Sequence, residues 1–117
     1  MPLPTIDFVG MTPSPALRAE IERHALRLSH LAPRMTSCHV TLRRAEGHHR
    51  HGSRFRARIR VLIPGAAFDV GAAGSAHDRD DAYAAVRDTF HVVRDKIEEF
   101  QAMRRPRRDT HHSQDAA

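Results

Sequence analysis

An alternation of arginine and apolar residues fills positions 54–61 of the sequence, and Ile63 continues its apolar half. Successive side chains of a β-strand point to opposite faces of its sheet, so a strand here has one apolar and one cationic face. The apolar side chains are Phe55, Ala57, Ile59, Val61 and Ile63. The cationic ones, which we call the arginine row, are Arg54, Arg56, Arg58 and Arg60. Such a strand requires a sheet with a core on one face and an open surface on the other.

The arginine row predicts an anionic partner. Side chains two residues apart on a strand lie about 7 Å from each other. The guanidinium groups therefore repel one another unless an anion lies along them. Phosphodiester backbone is the commonest such anion. The alternative is a merely solvated face in a chain that uses arginine as its preferred cation.

The charge of the whole chain also favours an anionic partner. Lys+Arg number 19 against 14 Asp+Glu, and Lys96 is the single lysine. Arginine forks onto phosphates and stacks on bases, which lysine does poorly. The balance fits RNA, DNA, an acidic protein or an anionic membrane surface, and does not choose among them.

Length and cysteine content restrict the class of protein. A chain of 117 residues predicts one domain with a small core. The lone Cys38 excludes an intrachain disulfide framework and fits a reducing cytosol. No apolar run approaches the roughly 18 residues of a membrane span, and the N-terminus lacks the features of a secretory signal. We therefore expect a cytoplasmic protein with no membrane partner.

Three further stretches have the pattern of strands and two the pattern of helices. Strands are predicted at residues 5–9, 37–43 and, more weakly, 68–72, with Pro64-Gly65 as a turn. A first helix is expected to begin after Ser14 as N-cap and to stop at Pro33. A second helix should follow an acidic cluster, which suits a helix N-terminus, and run to about Met103. Its apolar stripe is Val86, Phe90, Val93, Ile97 and Phe100.

The order β-α-β-β-β-α predicts an α+β fold. Both apolar helix stripes are buried most economically by packing on one face of a four-stranded mixed sheet. Strands 2, 3 and 4 should form an antiparallel meander, with the arginine row on the open face. We expect one domain over residues 1–103 and a basic, disordered tail over residues 104–117.

The second helix and the tail supply further candidate contacts with RNA. On a helical wheel Tyr83, Arg87 and Arg94 lie close together, where they could meet phosphates and a ribose or base. The alternative is a boundary tyrosine with solvated arginines paired to Asp88 or Glu98. Lys96 and the tail complete the set of basic candidates. The tail residues are Arg104, Arg105, Arg107 and Arg108, which could instead serve as favourable charge at a helix C-terminus.

Catalytic and metal chemistry are poorly supported. His48, His49 and His51 lie in a glycine-flanked loop, which lacks the rigidity of a metal site. His24 falls in the apolar stripe of the first helix, where a half-buried, hydrogen-bonded histidine is expected. Cys38 points inward from a strand, as inert packing. We expect no enzyme, no metal, no cofactor and no small-molecule substrate.

The segment Asp81-Ala82-Tyr83-Ala84-Ala85-Val86 resembles the Asp-x-Tyr-x-Ala-Ile signature that opens the second helix of a known family. This is the ribosome hibernation promoting factor and ribosome-associated inhibitor A family, in its short, sigma-54 modulation protein-like form. Residues 6–18 and 38–42 are similar to its first strand and helix and to its second strand. The resemblance spans roughly residues 5–103 and includes the order of elements.

The resemblance implies a function on the ribosome. Family members dock on the small subunit near the decoding centre, contact its rRNA and obstruct mRNA and tRNA sites in stress or stationary phase. It also implies a fold related to double-stranded RNA binding domains. A monomer is expected, with the oligomeric state left open. A general binder of structured RNA, and a protein–protein module for an acidic partner, remain as alternatives.

Two departures from the family pattern are visible. Val92 and Asp95 occupy positions of the second helix where the family carries a lysine and an arginine. We also expect no second domain of the kind that the long form uses to dimerise ribosomes. A short form is expected to act on single ribosomes or alongside another factor.

Overall fold

The computed structural model of the chain describes residues 3–45, 54–71 and 79–104. Its elements follow the predicted order β-α-β-β-β-α. They are β1 (Thr5–Val9), α1 (Pro15–Leu31), β2 (Ser37–Ala45), β3 (Arg54–Ile63), β4 (Ala66–Val70) and α2 (Ala82–Arg104). None of the helices in this described part is long and apolar enough to cross a membrane.

The strands form one mixed sheet in the order β1-β2-β3-β4. β1 is parallel to β2, while β2, β3 and β4 pair antiparallel, as predicted. A parallel pair of strands needs a crossover connection, and α1 supplies it. The tight turn between β3 and β4 completes the meander.

The core lies between the two helices and one face of the sheet. Strands β2 and β3 contribute inward side chains that are fully buried, and the helices contribute their apolar stripes. The largest fully buried side chains include Ile21, Val40, Leu42, Ile59, Val61, Val86, Val93 and Ile97. These eight are aliphatic, as a chain with 5% aromatic residues requires. Burial of this single sheet face confirms the α+β architecture and leaves the arginine row on the other face.

The first helix begins where its capping residues predict. The backbone N–H of Leu17 donates to Ser14 Oγ at 3.1 Å, and Pro15 occupies the first turn, where its missing N–H costs nothing. At the other end the backbone N–H of Ala32 donates to the Leu28 carbonyl at 2.8 Å, and Pro33 follows. Local sequence therefore sets both ends of α1.

Three predicted boundaries differ in the structure. β4 runs from Ala66 to Val70 rather than over residues 68–72, because the turn at Pro64-Gly65 is so tight that Ile63 pairs with Ala66. Residue 72 itself lies outside the described residues. β2 extends to Ala45, whose partner is Arg54. Arg104, predicted in the tail, is the last residue of α2.

Gly71 and Gly65 both have positive φ angles, but they differ in the room that their surroundings leave for a side chain. A Cβ on Gly71 (φ +92°) would lie 2.1 Å from the Ala57 carbonyl oxygen, whereas one on Gly65 (φ +87°) would lie 3.1 Å from the movable guanidinium of Arg104. Gly71→Ala should therefore cost about 3 kcal/mol or more, and Gly65→Ala only about 1 kcal/mol. Urea unfolding of the two variants measures the difference. Equal losses of unfolding free energy would mean that the clash with Ala57 adds nothing to the backbone strain at Gly71.

Candidate nucleic-acid interface

The arginine row lies on the open face of the sheet, as predicted. Along β3 the apolar side chains are buried in the middle of the strand, while Arg58 and Arg60 are exposed and Arg54 and Arg56 are half-buried. The sheet thus presents four guanidinium groups away from the helices. The prediction of a one-sided cationic strand is confirmed in its geometry.

A fifth arginine joins this face from the neighbouring strand. Arg43 on β2 is the direct cross-strand partner of Arg56. Side chains at such positions lie about 5 Å apart at Cβ, so two like charges there destabilise the free sheet. The alternation of residues 37–43 puts Arg43 on the face opposite Cys38, Val40 and Leu42, but only the register of β2 on β3 brings it beside Arg56. Arg43 is the candidate contact residue that sequence reasoning missed.

The fourth strand brings a carboxylate to the arginine row. Arg58 donates from Nε to Asp69 Oδ1 at 2.9 Å and from Nη2 to Oδ2 at 2.6 Å. Arg60 Nε lies 3.9 Å from the same Oδ2. The hydrogen bonds from Arg58 hold the pKa of Asp69 below its ordinary value. Burial opposes this shift, and the charges of Arg58 and Arg60 lower the pKa further. Asp69 is therefore ionised and engaged at neutral pH.

Acidic groups also flank both ends of the open face. Asp7 Oδ2 on β1 lies 2.7 Å from His39 Nε2, and Asp80 Oδ1 lies 3.8 Å from Arg54 Nη1. Arginines outnumber carboxylates on the sheet face itself, where Asp7 and Asp69 are the acidic residues of the described strands. The surface remains cationic, with its positive charge unevenly distributed.

A second basic surface lies in a groove between α1 and α2. This groove has a volume of about 180 Å³, and its lining residues are His24, Arg27, Leu28, Arg87, Phe90, His91 and Arg94. The helices cover the inner face of the sheet, so the groove belongs to the helical layer and not to the face of the arginine row. The structure thus brings Arg87 and Arg94 together, as predicted, but on a separate surface.

The basic residues of α2 have acidic neighbours on the same helix. Arg87 Nε lies 3.3 Å from Asp88, Arg94 Nε lies 3.6 Å from Glu98 Oε2, and His91 lies 3.6 Å from Asp95. These contacts match the alternative in which the arginines are solvated and paired. Exposed pairs of this kind contribute roughly 0–1 kcal/mol, so a phosphate can compete with them.

Tyr83 and Lys96 do not join the groove lining. Tyr83 is 41% exposed near the start of α2. Lys96 follows Arg94 by two residues, about 200° around the helix, and therefore lies on a different side of α2. Val92, at one of the positions that depart from the family pattern, is also exposed. The predicted helix contacts divide into a groove pair, an exposed tyrosine and a separate lysine.

His24 forms part of the floor of the groove. Its ring stacks on Phe90 with centroids 5.2 Å apart, and Nε2 lies 3.0 Å from Glu20 Oε2. Burial first, and then the charges of Arg27, Arg23 and Arg87, lower the pKa of His24. The half-buried, hydrogen-bonded histidine is confirmed, and burial is the main cause of its lowered pKa.

The last turn of α2 carries Arg104 away from both basic surfaces. Its guanidinium lies 5.4 Å from the ring centroid of Phe100, beside a cavity of about 330 Å³ that Arg34 and Ile63 also line. The other tail candidates, Arg105, Arg107 and Arg108, lie outside the described residues, as do the histidines at 48, 49 and 51.

Cys38, the remaining candidate for chemistry within the described residues, has a structural role. Burial raises the pKa of the Cys38 thiol to about 11, so it stays protonated and packs in the core as predicted. Within residues 3–45, 54–71 and 79–104, no three acidic, histidine or cysteine side chains are placed to hold a metal ion.

Asp81 explains the acidic start of the Asp-x-Tyr segment. The backbone N–H of Tyr83 donates to Asp81 Oδ1 at 2.9 Å, and the N–H of Ala85 donates to the Asp81 carbonyl at 3.0 Å. Asp81 is therefore the N-cap of α2. It fixes the first turn of the helix, from which the Tyr83 ring projects.

Removal of this cap should destabilise the fold. Asp81→Ala leaves the Tyr83 N–H without its acceptor, and we expect a loss of about 1 kcal/mol in the free energy of unfolding. Asp80→Ala is the matched control, because Asp80 is highly exposed and its contact with Arg54 is as long as 3.8 Å. Urea denaturation followed by circular dichroism compares the two. Equal effects would contradict the capping role.

His24 should make stability depend on pH. Its folded pKa is lowered, so below about pH 6.5 the unfolded chain binds the proton more readily and stability falls. Urea unfolding at pH 7.5 and at pH 5.5 should therefore show a smaller loss for His24→Gln than for the unsubstituted protein. His30→Gln, at an exposed position of the same helix, is the control and should leave the loss unchanged.

Comparison with solved structures establishes the fold independently. A ribosomal subunit interface protein from Coxiella burnetii is 19% identical, with a TM-score of 0.65 over 84% of this chain and 98% of that chain. The N-terminal domain of Protein Y from Thermus thermophilus is 22% identical, with a TM-score of 0.68 over 86% of this chain and 99% of that chain. Comparison with curated proteins finds no match.

A family model matches nearly the whole described chain. It carries the description sigma 54 modulation protein / S30EA ribosomal protein and covers residues 5–105. That span includes both basic surfaces and the Asp-x-Tyr segment, and it confirms the resemblance drawn from the sequence. The family is described by ribosomal association and modulation rather than by a catalysed reaction. The chain belongs to the sigma 54 modulation protein / S30EA ribosomal protein family.

Proposed function

We propose that this protein binds the small ribosomal subunit through its rRNA and restrains translation. It acts near the decoding centre, in the cytoplasm, under stress or in stationary phase, and it works as a monomer that occupies mRNA and tRNA sites rather than as an enzyme. Its family supports association with ribosomes. The Coxiella burnetii protein that shares its fold is described as a ribosomal subunit interface protein.

One observation carries the proposal: the cationic open face of the sheet. Arg43 and the arginine row lie together on a surface that no other described element covers. Phosphates that lie along it relieve the repulsion between these groups and release counterions from the RNA. Recognition by this surface is electrostatic and follows shape, because guanidinium–phosphate contacts carry no sequence information. The affinity should therefore fall steeply with salt.

The helical layer supplies a second set of proposed contacts. Arg87 and Arg94 reach phosphates from the groove, which Arg27 of α1 also lines. The exposed ring of Tyr83 meets a ribose or base beside them. Lys96 and Arg104 contribute separate charges, and Arg105, Arg107 and Arg108, outside the described residues, are further proposed contacts with RNA.

Reversal of two charges in the arginine row tests the proposal. Arg56→Glu with Arg58→Glu should abolish co-sedimentation with bacterial 30S subunits in sucrose gradients, because both side chains would then repel phosphate. The unsubstituted protein should migrate with small subunits and whole ribosomes at low salt and be lost from them at high salt. Circular dichroism should show that the double variant is folded, since both positions lie on the open face.

A control with the same change in charge lies on the helical side of the chain. Arg18→Glu with Arg34→Glu changes the net charge equally, but Arg18 lies over the Phe8 ring and Arg34 beside the cavity at the end of α2. This variant should retain most of its binding. Unchanged binding of the Arg56 and Arg58 variant would remove the arginine row from the interface. Unsubstituted protein that stays at the top of the gradient at both salts would overturn the ribosomal function.

A further inference from the structure

The carboxylate of Asp69 lies between two guanidinium groups of the arginine row. Asp69 is the direct cross-strand partner of Arg60 on β3 and is diagonal to Arg58. Both of its oxygens accept from Arg58, at 2.9 and 2.6 Å, and Arg60 Nε approaches to 3.9 Å. The carboxylate of Asp69 thus occupies the position between Arg58 and Arg60 where an external anion could bind.

This geometry is the one that arginine uses for phosphate. A guanidinium group binds a carboxylate and a phosphate with the same pair of parallel hydrogen bonds. The position of the Asp69 carboxylate therefore fits a phosphate oxyanion as well as it fits Asp69. The Arg58 and Asp69 side chains are both partly exposed, at 44% and 42%, so solvent and RNA can reach the pair.

The other carboxylate of the open face is placed differently. Asp7 lies on β1, at the opposite edge of the sheet from Asp69, and its carboxylate contacts His39. Asp7 carries the same charge on the same face. It therefore provides a natural comparison for what the contact of Asp69 with the arginines does.

We propose that Arg58 and Arg60 form a phosphate subsite that Asp69 occupies in the free protein, and that an RNA phosphate displaces the Asp69 carboxylate on binding. This inference rests on the proposed function. Asp69 then acts as an internal competitor. It relieves repulsion within the row before RNA arrives, and it lowers the affinity because its own contacts are lost when the phosphate binds.

Two isosteric variants test the competition. Asp69→Asn and Asp7→Asn remove one negative charge each from the same face. Binding of purified 30S subunits is measured for each as a function of salt concentration. Asp69→Asn should tighten binding several-fold more than Asp7→Asn, because no charged Asp69–Arg58 contact is lost when the phosphate binds. Its log–log salt slope should stay close to that of the unsubstituted protein, in which the same phosphate already occupies the subsite. Asp7→Asn should leave the slope unchanged.

A double-mutant cycle assigns the effect to the subsite. In an Arg58→Ala background, Asp69→Asn should no longer tighten binding beyond the effect of Asp7→Asn, because the fork that receives the phosphate is gone. Thermal unfolding checks each variant, and Asp69→Ser replaces Asp69→Asn if the latter is less folded. A persistent gain in the Arg58→Ala background would overturn the inference in favour of a general effect of charge.

The outcomes separate the two proposals. If the unsubstituted protein does not bind 30S subunits at any salt concentration and Asp69→Asn does not bind either, the proposed function fails. If the unsubstituted protein binds and the two asparagine variants tighten binding equally, the ribosomal function stands and the phosphate subsite at Asp69 does not.

Discussion

Burial of one face of β3 is the constraint on which the rest of the structure depends. Ala57, Ile59 and Val61 enter the core between the sheet and the helices, and each large aliphatic side chain buried in this way contributes roughly 1–3 kcal/mol. A strand has only two faces. Once these residues are inside, the alternating arginines must lie outside. The cationic surface is therefore a geometric consequence of the core and cannot slip to the other face without exposing it.

The positive charge of the open face is partly compensated by neighbouring carboxylates. Asp69 holds Arg58 and approaches Arg60, while Arg43 lies beside Arg56 across the β2–β3 pair. The Asp69 carboxylate thus engages one end of the arginine row, Asp80 lies 3.8 Å from Arg54 at the other, and Arg43 and Arg56 are direct cross-strand partners. An RNA bound along this face as proposed would meet two different environments: one where a phosphate replaces a carboxylate, and one where it lies beside the cross-strand pair of arginines.

The arginines of α2 do not by themselves make the groove between the helices a cationic surface. Arg87 and Arg94 line the groove with residues of α1, yet Asp88 and Glu98 lie beside them. The arginines of the groove come from both helices, since Arg27 of α1 lines it beside Arg87 and Arg94 of α2. Its charge therefore depends on α1 as much as on α2. That is consistent with the apolar and acidic residues of α2 that stand where the family pattern has basic ones.

Local sequence determined the elements of this protein, because each has a local physical cause. The period of two in β3, the Ser14 and Asp81 caps, and the apolar stripe of α2 act within a few residues of one another. The α+β order and the arginine row followed from them. Tertiary structure alone decided the register of β2 on β3 that pairs two arginines, the reach of Asp69 to Arg58, and the groove that joins His24 to α2. These contacts join residues far apart in the chain, and a sequence pattern carries no information about which of two outward side chains become neighbours.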